Sequence, residues 1–183
     1  MDNGVCVTVF TIGHSTHPID EFIGLLRQTG IERVVDVRSI PRSRTNPQFN
    51  SDALCESLAA AGIGYTQLRA LGGRRGRRRD AGPSPNQLWR NESFRNYADY
   101  AMSDAFRSGL AELKSLASRE RCAIMCAEAL WWRCHRRIIS DYLLADGLAV
   151  AHVMGAGKVE PATLTPGARA LPDGTLLYSG EVG

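Results

Sequence analysis

Short apolar runs alternate along the chain with longer segments in which apolar residues recur every three or four positions. The runs predict buried strands, because most are rich in β-branched residues and end at glycine or polar residues; they lie at residues 5–12, 33–37, 64–68, 122–126 and 148–153. Helical spacing predicts helices at residues 18–28, 51–61, 94–102, 104–118 and 133–145. Pro18 suits a first helical position, and Ser15 or Thr16, and Ser103, are expected to cap helices.

Strands that alternate with helices and are apolar throughout are typical of a parallel sheet covered on both faces. The sequence therefore predicts a three-layer, Rossmann-like α/β domain with a mostly parallel sheet of about five strands. We expect this core domain to span residues 1–153. Residues 154–183 contain several glycines and prolines and an Asp173-Gly174 turn, so they predict a loop-rich tail packed on the core.

Composition indicates the cellular environment of the protein more clearly than its activity. Hydrophobic residues make up 44% and charged residues 22% of the 183 residues, as in folded proteins. No apolar run approaches the roughly 20 residues that cross a bilayer, and residues 1–4 lack the basic start of a secretion signal. The five cysteines are an odd number, which favours reduced thiols. We therefore expect a cytoplasmic protein without membrane contact.

Polar residues are concentrated where three of the predicted strands end. They are Gly13, His14 and Ser15 after the first strand; Asp36, Arg38, Arg42 and Ser43 after the second; and Cys126 and Glu128 after the fourth, with His135 and Arg136 at the next helix start. Because parallel strands end at one edge of the sheet, and ligands bind there, these side chains are expected to share one cleft.

Each of these residue types has a chemical rationale. Arg38, Arg42 and Arg136 suit a phosphate or carboxylate, and the amino end of the helix after Gly13 also favours anions. We expect Asp36 and Arg38 to point to opposite faces and to have different partners, although a purely structural ion pair with neighbouring loops is an alternative.

The remaining side chains suit proton transfer or thiol chemistry. His135 and Glu128 are candidates for exchanging protons near neutral pH. Cys126 lies at a strand end that faces a helix start, where a thiolate is stabilised, although a buried inert thiol is an equal alternative.

These stretches resemble a family catalogued only as domain of unknown function 488. The matching residues are Thr11 to Ser15, Asp36 to Arg38 with Pro41 and Ser43, Leu71-Gly72-Gly73, Phe94 with Tyr97, Cys126 to Glu128, and Cys134 to Arg136. The resemblance extends to about Val153. It implies that these motifs, including Gly72 and Gly73, form one cleft, and that the bacterial cytosol is the usual setting.

A run of arginines follows the two glycines of that resemblance. Five of its residues are basic: Arg74, Arg75, Arg77, Arg78 and Arg79. Such a run attracts phosphates and nucleic acid. The simpler interpretation is a solvated loop, because the run lies between Gly72-Gly73 and the chain-breaking segment Gly82-Pro83-Ser84-Pro85.

Four functions remain open from the sequence. The leading hypothesis is an enzyme that acts on an anionic, phosphate-bearing substrate such as a nucleotide or nucleic acid. Rhodanese-like or other cysteine-dependent chemistry at Cys126 is an alternative, although residues 127–137 lack the glycines of an anion-binding loop and Arg133 follows one position too late for the phosphatase spacing.

The other two hypotheses use the same residues differently. A metal-dependent enzyme would draw ligands from Cys126, Glu128, Cys134, His135 and His14. A non-catalytic nucleic-acid-binding module would use the arginine run, with Tyr65, Trp89 or Tyr97 stacking on bases. The sequence does not identify a cofactor.

Overall fold

The computed structural model describes residues 6–180, and eight strands lie within them. Five follow the predicted runs: β1 (Thr8–Gly13), β2 (Arg33–Asp36), β3 (Gly64–Gln67), β4 (Cys122–Cys126) and β5 (Ala149–Gly155). Three more lie in the segment predicted as a loop-rich tail: β6 (Lys158–Pro161), β7 (Ala168–Ala170) and β8 (Leu176–Tyr178). Val5, which was predicted to begin the first strand, lies outside the described residues.

Five α-helices connect these strands. They are α1 (Ile19–Gln28), α2 (Ser51–Ala60), α3 (Glu92–Ala101), α4 (Asp104–Ala117) and α5 (Arg136–Ala145). Ser103 caps α4 as predicted, accepting a hydrogen bond from the N–H of Phe106. Pro18 occupies the position before α1, and neither Ser15 nor Thr16 caps this helix; Ser15 instead adopts a positive φ of 47°.

The start of the last helix differs from the prediction in a way that affects the site. Residues 131–133 form a short 3-10 turn, Cys134 is extended, and α5 begins only at Arg136. Cys134 therefore precedes the helix, although the predicted range of residues 133–145 included it.

The main sheet has the order β3-β2-β4-β1-β5-β6. The first five strands are parallel, which confirms a mixed α/β protein with a mostly parallel sheet and is consistent with a Rossmann-like fold. The sixth strand, β6, pairs antiparallel with β5 at one edge. The prediction of about five strands is thus one too few, because β6 is short and largely solvent-exposed and carries no apolar run.

Two hydrophobic cores cover the two faces of the sheet. Side chains of α1 and α2 pack on one face, around Phe22 and Leu54, and those of α3, α4 and α5 pack on the other. The second core also contains Leu176 and Tyr178 of β8, whose side chains are fully buried. Tyr178 donates a hydrogen bond to Asp141 of α5 at 2.9 Å, so this part of the tail is docked on the helical layer.

Candidate active site

A cavity of about 440 Å³ opens at the carboxyl ends of β1, β2 and β4. Eight of the residues selected from the sequence line it: His14, Arg38, Arg42, Ser43, Gly73, Cys126, Glu128 and His135. The other five, Gly13, Ser15, Asp36, Gly72 and Arg136, do not line it but contact residues that do or lie next to them in the chain. Polar residues from distant parts of the chain thus meet in one cleft.

Gly13 allows the first and fourth strand ends to approach each other. The backbone N–H groups of His14 and Ser15 donate to the carbonyl groups of Cys126 and Ala127, at 2.9 and 3.0 Å. A Cβ atom at position 13 would collide with the carbonyl of Glu128, so only glycine fits here.

Asp36 and Arg38 form a buried ion pair with each other, which corrects the prediction that they point to opposite faces. Residues two apart in extended chain share a face. The guanidinium Nε lies 2.9 Å from Oδ1 of Asp36 and Nη2 lies 2.6 Å from Oδ2, while the Arg38 backbone N–H also donates to Oδ1. Tyr65 donates a further hydrogen bond to Oδ2 at 2.7 Å. Both carboxylate oxygens of Asp36 therefore already accept hydrogen bonds, and the side chain lies behind the cavity wall.

The remaining guanidinium nitrogen of Arg38 fixes His14. Nη1 of Arg38 donates to Nε2 of His14 at 3.2 Å, and Nδ1 of His14 donates to the carbonyl of Ser15 at 2.9 Å. The ring also stacks on Phe49. Burial, assisted by the charge of Arg38, lowers the pKa of His14 to about 4. His14 is thus neutral at pH 7, and both ring nitrogens are already hydrogen-bonded.

The two glycines at 72 and 73 let the following loop pass closely over the site. A Cβ atom at Gly72 would lie 2.6 Å from Oγ of Ser39, and one at Gly73 would collide with the ring of His135. The N–H of Arg74 then donates to Oγ of Ser39 at 2.9 Å. This packing holds the His135 ring from one side.

Two thiols lie together at the base of the cavity. Sγ of Cys126, at the end of β4, is 2.8 Å from Sγ of Cys134. Sγ of Cys134 also accepts the backbone N–H of Arg136 at 3.4 Å, at the amino end of α5, and lies 3.3 Å from Nδ1 of His135. Nε2 of His135 donates to the carbonyl of Val37 at 2.8 Å, which directs the Nδ1 lone pair towards the sulfur.

These contacts shift the pKa values of the two thiols in opposite directions. Burial raises the pKa of Cys126 well above its ordinary value, and the hydrogen bond to Cys134 raises it further. Burial also acts to raise the pKa of Cys134, but the hydrogen bond from Cys126, the neighbouring His135 ring and the charge of Arg136 outweigh it and lower the pKa well below its ordinary value. The pair therefore favours a thiolate at Cys134 that accepts a hydrogen bond from the Cys126 thiol.

Arg136 is the largest fully buried side chain, and no carboxylate among residues 6–180 forms an ion pair with it. Its guanidinium donates to Oγ1 of Thr11 and to the carbonyl of Glu128. A buried cation is costly unless an anion compensates it. The neighbouring cysteine sulfurs are the groups that raise the pKa of Arg136 against the opposing effect of burial.

The mouth of the cavity is positively charged. Arg42, Arg74 and Arg133 line it with exposed side chains, and Glu128 is the one carboxylate in the lining. The side chains of these arginines are exposed, in contrast to that of the buried Arg38. Arginines therefore outnumber carboxylates at this mouth.

A second cavity, of about 500 Å³, lies between the arginine-rich loop and α3. Arg74 lines both cavities, and Arg77, Arg78 and Arg95 line the second. Arg75 has a structural role, because it donates to the carbonyls of Gly72 and Arg69 and stacks on Tyr100. Arg79 lines neither cavity.

Several lining residues were not selected as site residues from the sequence. They are Ser39, Ile40, Ser93, Phe94, Tyr97, Ala127, Arg133 and Cys134, together with Arg74 of the arginine run. Cys134 was part of the resemblance and a possible metal ligand, but it was not predicted as a nucleophile, because its spacing from Cys126 matches no known motif. Its position directly before a helix start was the available signal, and the predicted helix start at residue 133 obscured it.

No group of three or more His, Cys, Asp or Glu side chains within residues 6–180 is arranged to hold a metal ion. The ligand set suggested for a metal-dependent enzyme is therefore not assembled in the described part of the chain. No α-helix in the same residues is long and apolar enough to span a membrane.

Fold and site together define an α/β protein with paired thiols at the base of an arginine-lined cleft. Residues 18–143 match the model of the family described as domain of unknown function DUF488, and the chain belongs to this family, as the resemblance predicted. The matched range contains every motif of that resemblance except Thr11 to Ser15, which precedes it. No curated protein and no solved structure matches the chain.

Proposed function

We propose that this protein is an enzyme that binds an anionic, phosphate-bearing substrate in the arginine-lined cavity and attacks it with the thiolate of Cys134. The observation that carries the proposal is the surroundings of that sulfur. An imidazole, a helix amino terminus and a buried arginine that pairs with no carboxylate of residues 6–180 all converge on it. Each of these features stabilises a thiolate, and the thiolate is the nucleophilic form of cysteine.

His135 has the position of an activating base. Its Nδ1 is within reach of Sγ of Cys134, and the Val37 carbonyl orients the ring through Nε2. A nucleophile, a base and a group that orients the base form the arrangement by which many enzymes activate weak nucleophiles. His135 would take the thiol proton and return it to the leaving group.

The arginines at the mouth supply binding rather than chemistry. Arg42, Arg74 and Arg133 suit a phosphate or another anionic group by forked hydrogen bonds. Cys134 is followed by His135 and then by α5, so no glycine-rich loop wraps its backbone around an anion at this sulfur in the manner of cysteine phosphatases. The phosphate is therefore the part of the substrate that is recognised, and the thiolate attacks a different atom.

Asp36 and Arg38 act as positioning residues in this scheme, because they hold His14 and the wall of the cavity. Glu128 is exposed at the rim, where it is placed to exchange protons with a bound substrate.

The pH dependence of alkylation tests the proposal. Iodoacetamide labelling between pH 6 and pH 8, followed by peptide mass spectrometry, gives a separate rate for each cysteine. The exposed Cys55 is the internal control, because the labelling rate of an ordinary thiol falls about tenfold per pH unit in this range. Cys134 should lose much less of its rate over the same range, and inorganic phosphate should slow its labelling but not that of Cys55.

A Cys134 rate that falls with pH as steeply as that of Cys55 would show that no thiolate is stabilised. The proposal would then be wrong. Comparing the ratio of rates at two pH values, instead of the absolute rates, removes the effect of limited access to a buried sulfur.

The second cavity favours one other candidate, a nucleic-acid-binding module. Its arginines continue from the first cavity through Arg74 and would contact successive phosphates of a strand. Fluorescence anisotropy with a labelled single-stranded oligonucleotide tests this function. Affinity should fall steeply with salt and should weaken in Arg77→Ala and Arg78→Ala, whereas salt-independent or undetectable binding would exclude it.

A further inference from the structure

The cavity contains two adjacent thiols, although a nucleophilic mechanism needs only one. Cys126 comes from the end of β4 and Cys134 from the turn before α5, and the backbone around both is fixed by hydrogen bonds. Their sulfurs are 2.8 Å apart, so a covalent bond between them requires an approach of less than about 1 Å. Both side chains line the same cavity.

The two sulfurs are not equivalent. Cys134 receives the Arg136 N–H and faces His135, whereas the contacts of Cys126 are with Cys134 and with the Glu128 carbonyl. Burial raises the pKa of Cys126, so its thiol stays protonated while Cys134 is ionised. Cys134 is thus the thiol that attacks first, and Cys126 lies next to it as a protonated thiol.

We propose that Cys134 and Cys126 act in sequence to reduce an anionic disulfide by two electrons. This inference rests on the proposed function, because it needs Cys134 as the nucleophile. The Cys134 thiolate attacks one sulfur of the substrate disulfide, its S–S bond breaks, and the first half leaves as a thiol with the proton that His135 took from Cys134. A mixed disulfide between Cys134 and the second half remains.

Cys126 then completes the reaction. Once Cys134 is held in the mixed disulfide, its negative charge no longer opposes ionisation of Cys126, which then loses its proton. The Cys126 thiolate attacks Sγ of Cys134, the mixed disulfide breaks, and the second half leaves with that proton as a thiol. The products are two substrate thiols and one Cys126–Cys134 disulfide, so two electrons have passed from the protein to the substrate. A dithiol reductant must restore the two thiols before another cycle.

The cavity favours an anionic disulfide over a small peroxide. A volume of about 440 Å³ and three exposed arginines at its mouth are not needed to admit a hydroperoxide. They suit a larger molecule whose charged groups stay at the rim while its sulfur atoms reach the base.

Glutathione disulfide is a suitable probe, because it is a small anionic disulfide. The experiment uses the full chain with the exposed Cys6 and Cys55 changed to serine, which leaves the three buried cysteines. On addition of glutathione disulfide at pH 7, free thiols should fall from three to one per chain, with release of two glutathione molecules. Peptide mass spectrometry should find a Cys126–Cys134 cross-link. Cystamine, a cationic disulfide, should react more slowly.

Variants separate the two steps. Cys126→Ser should stop at a stable glutathione adduct on Cys134, whereas Cys134→Ser should leave Cys126 unmodified. Cys122→Ser removes another buried thiol of β4 and is the matched control. It should form the same Cys126–Cys134 cross-link as the parent, with free thiols falling from two to none per chain.

A glutathione adduct that persists on Cys134 in the parent protein would overturn the inference and leave the nucleophile proposal intact. A Cys134 that reacts with neither glutathione disulfide nor iodoacetamide would overturn both. The parent measurement does not depend on whether any of these three further variants folds.

Discussion

The buried ion pair between Asp36 and Arg38 offers a sharp test of how the cavity wall is held. Asp36 is fully buried and accepts hydrogen bonds from the Arg38 guanidinium and backbone and from the Tyr65 hydroxyl. Asp36→Asn keeps the shape of the side chain but removes the charge and replaces one acceptor oxygen by a donor. The Arg38 cation is then buried without an anion.

The expected cost follows from that stranded charge. Removing one partner of a buried ion pair costs about 3–5 kcal/mol. For a chain of this size, that loss corresponds to a decrease in Tm of roughly 10 °C. Tyr65→Phe removes one hydrogen bond to the same carboxylate and leaves the ion pair intact. It should therefore lower the free energy of unfolding by no more than about 3 kcal/mol.

Urea denaturation followed by circular dichroism measures both free energies of unfolding. The double variant Asp36→Asn, Arg38→Met removes the stranded cation and should recover part of the loss. If Asp36→Asn costs less than about 1 kcal/mol, or if the double variant is no better than the single one, the pair does not stabilise the wall as argued.

Two further predictions concern histidines and a glycine. Burial lowers the pKa of His14 and of His152 from 6.5 to about 4. The unfolded chain therefore binds protons at higher pH than the folded chain, and the free energy of unfolding should fall between pH 6.5 and pH 4 by about 2.5 kcal/mol for each histidine. His152→Gln should flatten this decline in urea denaturation; an unchanged slope would contradict the assignment. Gly73→Ala should displace the His135 ring and steepen the pH dependence of Cys134 alkylation, whereas Gly76→Ala, whose Cβ meets nothing within 4 Å, should match the parent. Equal profiles for the two variants would exclude the effect.

The chemistry of the site was harder to predict than its location. The sequence indicated that polar residues follow three strands, and the parallel sheet brings them to one cavity. Residues two apart in extended chain share a face, so the spacing allowed Asp36 to pair with Arg38, but the sequence did not show that they pair, because the strand ends at Asp36. Nor did it distinguish the buried Arg136 from the exposed Arg42, since both are arginines in polar stretches.

Local pattern was sufficient for the α/β class, for five of the six strands of the main sheet and for the edge at which the loops meet. Apolar runs and helical spacing are properties of neighbouring residues, and parallel strands leave only one edge for their carboxyl ends. Only the tertiary structure gives the two buried thiols different surroundings. The difference depends on the Val37 carbonyl, 98 residues before His135, on the start of α5, and on a buried cation without a carboxylate partner among the described residues. Such effects come from burial and charge at contacts that sequence spacing does not encode.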